Sequence, residues 1–179
     1  MIKITFPDGR VNEYEKGITG LEIAQKINQK LGKESLGIVV NGETRDLTRP
    51  IDTDATVKLL LWDDDEGKKV MWHSSAHLMA EALEELYPGV KFGIGPPVAN
   101  GYYYDIDLGD HEITASELAM IEKMMLDLAR KDEKFVRKEV SKVAAIDYFT
   151  KKGDEYKLEL LQLHLLQLFL TVVAICFFM

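Results

Sequence analysis

Cysteine is nearly absent from this chain. Its 179 residues contain one, Cys176, so no internal disulfide can form, which suits a reducing cytoplasmic compartment. Positive charge is in deficit as well: 22 Lys and Arg stand against 30 Asp and Glu, for a formal net charge of −8. That balance argues against a general nucleic-acid binder held by bulk electrostatics. Any RNA contact must use a local basic surface, and DNA is not an expected partner. The opening residues Met1-Ile2-Lys3-Ile4-Thr5-Phe6 lack the long apolar run of a secretory signal. No repeat recurs at solenoid periods. What the chain does have is 46% apolar residues, enough for one or two small domains with packed cores.

Ile2, Ile4 and Phe6 alternate with Lys3 and Thr5, which predicts a half-buried strand. Pro7-Asp8-Gly9-Arg10 turns the chain, and Val11 to Tyr14 returns as the second arm of a hairpin. Thr19-Gly20-Leu21-Glu22 is a capping box. The helix that it opens is predicted to run to about Leu31, with Leu21, Ala24, Ile27 and Leu31 inward and Gly32 as its stop. Leu36 to Val40 reads as a strand, Asn41-Gly42 as a type I′ turn, and Thr56 to Trp62 as a closing strand. Residues 1–62 therefore predict a small α+β unit in which one helix covers a mixed sheet, with no catalytic cluster. The acidic run Asp63-Asp64-Asp65-Glu66-Gly67 predicts a solvated linker over residues 63–69.

Trp72-His73-Ser74-Ser75-Ala76-His77 then opens a helix whose apolar face carries Ala76, Met79, Ala80, Leu83, Leu86 and Tyr87. His73 and His77 lie one turn apart beside that face. Two imidazoles so placed can contribute to a metal site or handle protons around one substrate. They are the only metal-ligand candidates, and two ligands fall short of what zinc takes.

Pro88-Gly89 ends the helix. Val90, Phe92 and Ile94 alternate as a strand, and Gly93-Ile94-Gly95-Pro96-Pro97 makes a rigid turn. There the prolines remove N–H donors that a phosphate cradle would need. Gly101-Tyr102-Tyr103-Tyr104-Asp105 resumes a strand with Tyr102 and Tyr104 on one face. Thr114-Ala115-Ser116-Glu117 is a second capping box, opening a helix with Leu118, Ile121, Met125 and Leu128 inward. Phe135 to Val140 reads as a strand. Ser141 caps a helix with Val143, Ala144, Tyr148 and Phe149 in its apolar set, ended by Gly153, and Tyr156-Lys157-Leu158 opens another strand. Taken singly, Tyr104 reads equally as a core tyrosine and Lys157 as a solvated lysine.

The block His73-Ser-Ser-Ala-His77-Leu-Met-Ala-Glu-Ala-Leu83 resembles the first histidine motif of the threonyl-tRNA synthetase editing domain. Lys91-Phe-Gly-Ile-Gly-Pro-Pro97, Gly101-Tyr-Tyr-Tyr-Asp105 and Asp154-Glu-Tyr-Lys157 follow in the order seen in that family. Residues 1–62 resemble its TGS module, a ubiquitin-like β-grasp fold. The resemblance implies an editing domain begun over residues 70–158, with His73, His77, Tyr104 and Lys157 in its pocket and the tRNA acceptor end as partner. It implies no cofactor in this stretch. ATP, Mg2+ and Zn2+ belong to a ligase core that has no counterpart here, and the parent enzymes are homodimers. A non-enzymatic RNA-binding TGS module and a free-standing deacylase acting in trans are the alternatives.

After Leu158 the resemblance stops. The family has a polar stretch and then a Cys-x-x-x-His motif; residues 160–179 here carry no Asp, Glu, Lys or Arg, and His164 and Cys176 have the wrong order and spacing. The apolar tail, residues 159–179, reads first as a change of reading frame or a truncated product. A membrane anchor and a buried strand or helix of the domain are the other readings. Translating the nucleotides past codon 158 in the other two frames checks the first reading. It predicts that Cys-x-x-x-His reappears there; its absence from both frames would leave the other two.

Overall fold

Alternating apolar residues build the first sheet. The computed structural model describes the chain except residues 132, 134, 164–171 and 179, so the reading of His164 falls outside the described residues. Strands β1 (Ile2–Thr5) and β2 (Val11–Tyr14) pair as the predicted hairpin, in register Ile2 with Tyr14. A short β3 (Ile18–Thr19) leads into α1 (Gly20–Ile27), and α2 (Gln29–Glu34) follows. Then come β4 (Gly37–Val40), β5 (Glu43–Arg45), β6 (Pro50–Ile51) and β7 (Ala55–Leu60). The sheet order is β2-β1-β7-β4-β5, with β1 and β7 parallel and the other pairs antiparallel; β3 and β6 form a separate small pair. Ile4, Ile23, Ile38 and Leu60 are fully buried. Each is worth roughly 1.5–3 kcal/mol of burial.

The Thr19–Glu22 capping box is complete, with both reciprocal bonds formed. The helix that it opens is shorter than its periodicity predicts. It stops at Asn28, whose backbone is extended and whose side chain accepts the Lys30 N–H at 2.8 Å, starting α2. Asparagine competes for backbone groups in this way, which favours caps over helix interiors. Gly32 is thus inside α2 rather than a stop. Ile23 takes the core position, while Ile27 is exposed.

The second unit is built around α3 (Asp65–Leu86), which passes from the first unit (Met1–Ser74 with Val98–Gly101) into the second (Ser75–Pro97 with Tyr102–Met179). The acidic run is therefore not a linker throughout: Asp65 and Glu66 form the first helical turn, where negative charge is favoured. Short strands follow: β8 (Lys91–Phe92), β9 (Pro97–Val98), β10 (Gly101–Tyr102) and β11 (Ile106–Asp107), with β8 and β11 antiparallel. The predicted strands around Val90–Ile94 and Gly101–Asp105 thus shrink to two-residue pairings, interrupted by the prolines and glycines between them.

Helix α4 (Ala115–Lys131) buries Ile121 and Leu128 but leaves Leu118 exposed. The Glu117 carboxylate takes the Thr114 N–H at 2.8 Å and also bonds the Tyr87 hydroxyl at 3.0 Å and His111 at 2.8 Å. Its carboxyl is held down at about 2, first by the Thr114 hydroxyl and N–H and then by His111 and Tyr87. After β12 (Phe135–Ser141), α5 (Lys142–Lys152) is capped by Ser141 and ended by Gly153 in the left-handed conformation, as predicted. Its buried residue is Ala145, whereas Val143 and Tyr148 are exposed.

Helix α6 (Glu155–Leu163) replaces the strand predicted at Tyr156–Leu158. From the tail, β13 (Val172–Phe178) pairs antiparallel with β12, from Ser141 opposite Val172 to Phe135 opposite Phe178. This run of β-branched and aromatic residues suits a strand. Among the described residues, no helix is long and apolar enough to cross a membrane.

The Asn41-Gly42 turn is the most testable joint of the first unit. Both residues have positive φ, 50° and 84°, as a type I′ turn requires. The Asn41 side chain also accepts the Thr56 N–H at 2.8 Å, tying the turn to β7. Asn41→Ala is expected to cost about 2 kcal/mol and Gly42→Ala about 1 kcal/mol. Urea unfolding followed by tryptophan fluorescence checks this, since Trp62 and Trp72 both lie in the first unit.

Candidate functional site

Helix α3 carries the two histidines at the predicted spacing. His73 is exposed and belongs to the first unit; His77 is half-buried and belongs to the second. Glu84 lies seven residues beyond His77, within about 20° of the same direction on the helix. It receives the Lys152 ammonium from the end of α5 at 3.0 Å. Burial works against the Lys152 charge, but the Glu84 bond and charge hold the ammonium above its ordinary value.

Tyr104 and Lys157 meet on the segment between them, Gly93 to Gly95. The Tyr104 ring lies directly on Gly95, where a Cβ would overlap it, and 5.3 Å from the Phe92 ring. The glycine at 95 therefore serves close approach by an aromatic ring. The segment is fixed by its own bonds: the Gly93 N–H donates to the Asp105 carbonyl at 2.8 Å and the Asp105 N–H to the Ile94 carbonyl at 3.0 Å. Burial pushes the Tyr104 hydroxyl above its ordinary value, and the Asp154 and Glu84 charges push the same way. The phenol stays a neutral donor.

Lys157 stands in the first turn of α6, not on a strand. Its N–H donates to Asp154 Oδ1 at 3.0 Å, so Asp154 caps the helix. Its Nζ donates to the Gly93 carbonyl at 3.2 Å. Burial draws its pKa down; the Asp154 charge opposes this and the Lys152 charge adds to it. A half-buried ammonium and a phenol on one stretch of backbone can hold a polar group and stabilise negative charge developing on it, whereas among the described residues no contact joins His73 or His77 to this pair.

Sequence reasoning did not single out Asp154, Glu84 or Lys152. The signals were present: Gly153-Asp154 is a helix stop followed by a helix cap, and His77 to Glu84 is a heptad step along one face. A cavity of about 370 Å³ is walled by Gly93, Ile94, Ile106, Tyr156 and Leu160 with Asp105, Asp107 and Glu159. None of the four sequence-predicted residues lines it. Among the described residues, no group of three or more His, Cys, Asp and Glu is arranged to hold a metal ion.

The order of the first unit, with one helix over a five-stranded mixed sheet, defines a class, and comparison bears it out. Residues 2–61 match the TGS domain, so the chain carries a TGS domain there. Beyond it, the chain is similar to threonine–tRNA ligases, and to an N-terminal portion of them. It is 56% identical to that of Parabacteroides distasonis over 161 residues, 90% of this chain and 25% of the relative. Identity is 54% with the ligase of Cytophaga hutchinsonii and 53% with that of Bacteroides thetaiotaomicron, at the same coverage. The chain thus spans about a quarter of the length of these relatives.

Gly95→Ala tests the ring-on-backbone contact. Because the added methyl must displace Tyr104 or the turn, it is expected to destabilise the second unit by about 1–3 kcal/mol. It should also alter the near-ultraviolet tyrosine signal. An unchanged spectrum and melting point would mean that Tyr104 does not rest on Gly95.

Proposed function

We propose that this chain is the portion of a threonine–tRNA ligase that carries the TGS domain and the first part of a proofreading pocket. The pocket hydrolyses serine wrongly esterified to the tRNA for threonine. The observation that carries this reading is the meeting of Tyr104 and Lys157 on Gly93–Gly95, in a chain 50–56% identical to such ligases over 90% of its length. The chemical need is plain. A threonine site rejects serine poorly, because the two differ by one methyl group worth about 1–3 kcal/mol. A second pocket must then cleave the wrong ester, with a positioned water, groups that move protons and a positive group for the oxyanion.

In this reading His73 and His77 position or deprotonate the water. Lys157 stabilises the developing charge or holds the RNA terminus, and Tyr104 orients the amino acid or the ribose. The partner is the acceptor end of tRNA, and the compartment is the cytoplasm, where tRNA is charged. Ligation itself, with its ATP, Mg2+ and Zn2+, belongs to the remaining three quarters of the relatives. Hydrolysis is incomplete as well, because a Cys-x-x-x-His motif is missing from this sequence.

The expected result is that the chain hydrolyses seryl-tRNA no faster than the uncatalysed rate, and that the His73→Ala, His77→Ala variant behaves identically. Robust turnover lost in that variant would identify a competent deacylase acting in trans. Tight, steeply salt-dependent tRNA binding without hydrolysis would favour a TGS-type RNA-binding module.

A further inference from the structure

We propose that Asp154 is a positioning residue of this site, whose carboxylate sets Lys157 against the Gly93 carbonyl and whose charge keeps that ammonium usable as a cation. The proposal rests on the proofreading reading for its ligand, but its geometry is independent of that reading.

Asp154 sits at a corner where two helices meet. Its own N–H donates to the Phe149 carbonyl at 3.0 Å, closing the end of α5 beside Gly153. Its side chain accepts the Lys157 N–H at 3.0 Å and its carbonyl accepts the Leu158 N–H at 3.1 Å, opening α6. The backbone of Asp154 is thereby held from both sides. Lys157 falls three residues after the cap, and from there its stem reaches the Gly93 carbonyl, 3.2 Å from Nζ.

The corner is also tied to α3. Lys152, two residues before Asp154, bonds Glu84 at 3.0 Å on the face that carries His77. The charge of Asp154 acts on Lys157, on Tyr104 and on Lys152, and Glu84 and Tyr148 act on the same group of side chains. One carboxylate therefore serves two purposes. It supplies a hydrogen-bond acceptor that fixes the helix, and a negative charge that offsets the cost of burying an ammonium.

Asparagine caps a helix as well as aspartate does but carries no charge, so it separates these purposes. The experiment compares the full chain with Asp154→Asn, Asp154→Ala and Lys157→Ala. It reads thermal melting, the titration of Lys157 followed by NMR of its side-chain carbons, and affinity for 3′-seryl-amino-3′-deoxyadenosine, an uncleavable mimic of the ester. Asp154→Asn is expected to melt like the parent, yet to titrate Lys157 at lower pH and bind the mimic about tenfold more weakly. Asp154→Ala should in addition lower the melting temperature. An Asp154→Asn chain whose Lys157 titration matches the parent's would reduce Asp154 to a helix cap and overturn the proposal. If the parent itself does not bind the mimic, the proofreading reading fails, while the Lys157 titration still decides the role of Asp154.

Discussion

The contact on which the second unit turns is that of two side chains with one short piece of backbone. The Tyr104 ring rests on Gly95, a contact that any side chain at 95 would block, and the Lys157 ammonium rests on the Gly93 carbonyl. The turn is held by bonds to Asp105, by the prolines that follow it and by Phe92 packed in the core beneath. A donor and a cation that arrive from distant parts of the sequence thus share a fixed reference. This is the kind of preorganisation that ester hydrolysis needs, because groups aimed in advance at developing charge need not reorganise when it appears.

The first unit contributes something different. Its stability comes from a dry face of isoleucine and valine and from turns whose residue types satisfy their own backbone demands. Its sheet and the helices α1 and α2 carry none of the four residues singled out from the sequence. A module of this kind presents a surface or spaces its neighbours, consistent with its match to the TGS domain.

Much of this architecture was legible in the residues. Strand alternation, the Asn41-Gly42 turn, the capping box at Thr19, the Glu117 half of the box predicted at Thr114, and the Ser141 and Gly153 ends of α5 depend on local chemistry, which sequence carries directly. The break at Asn28, the choice of Ile23 over Ile27 and the exposure of Leu118 depend on what packs against each helix, and periodicity alone does not choose among adjacent apolar positions. The resemblance points to Lys157, whereas the alternation of Tyr-Lys-Leu predicts a strand there. The cap at Asp154 overrides that local pattern and makes the segment helical. The same cap explains why Lys157 and Gly93, 64 positions apart, come within a hydrogen bond.

His77, Tyr104, Lys157 and the Gly93–Gly95 turn are proposed to serve one ligand. The most direct test is to titrate the isotopically labelled chain with the uncleavable seryl-adenosine mimic and map the backbone and side-chain resonances that move. The account predicts a compact set of shifts centred on those residues, with the sheet of the TGS domain undisturbed. Shifts confined to the TGS domain, or to the cavity beside Tyr156 with Tyr104 and Lys157 silent, would contradict it.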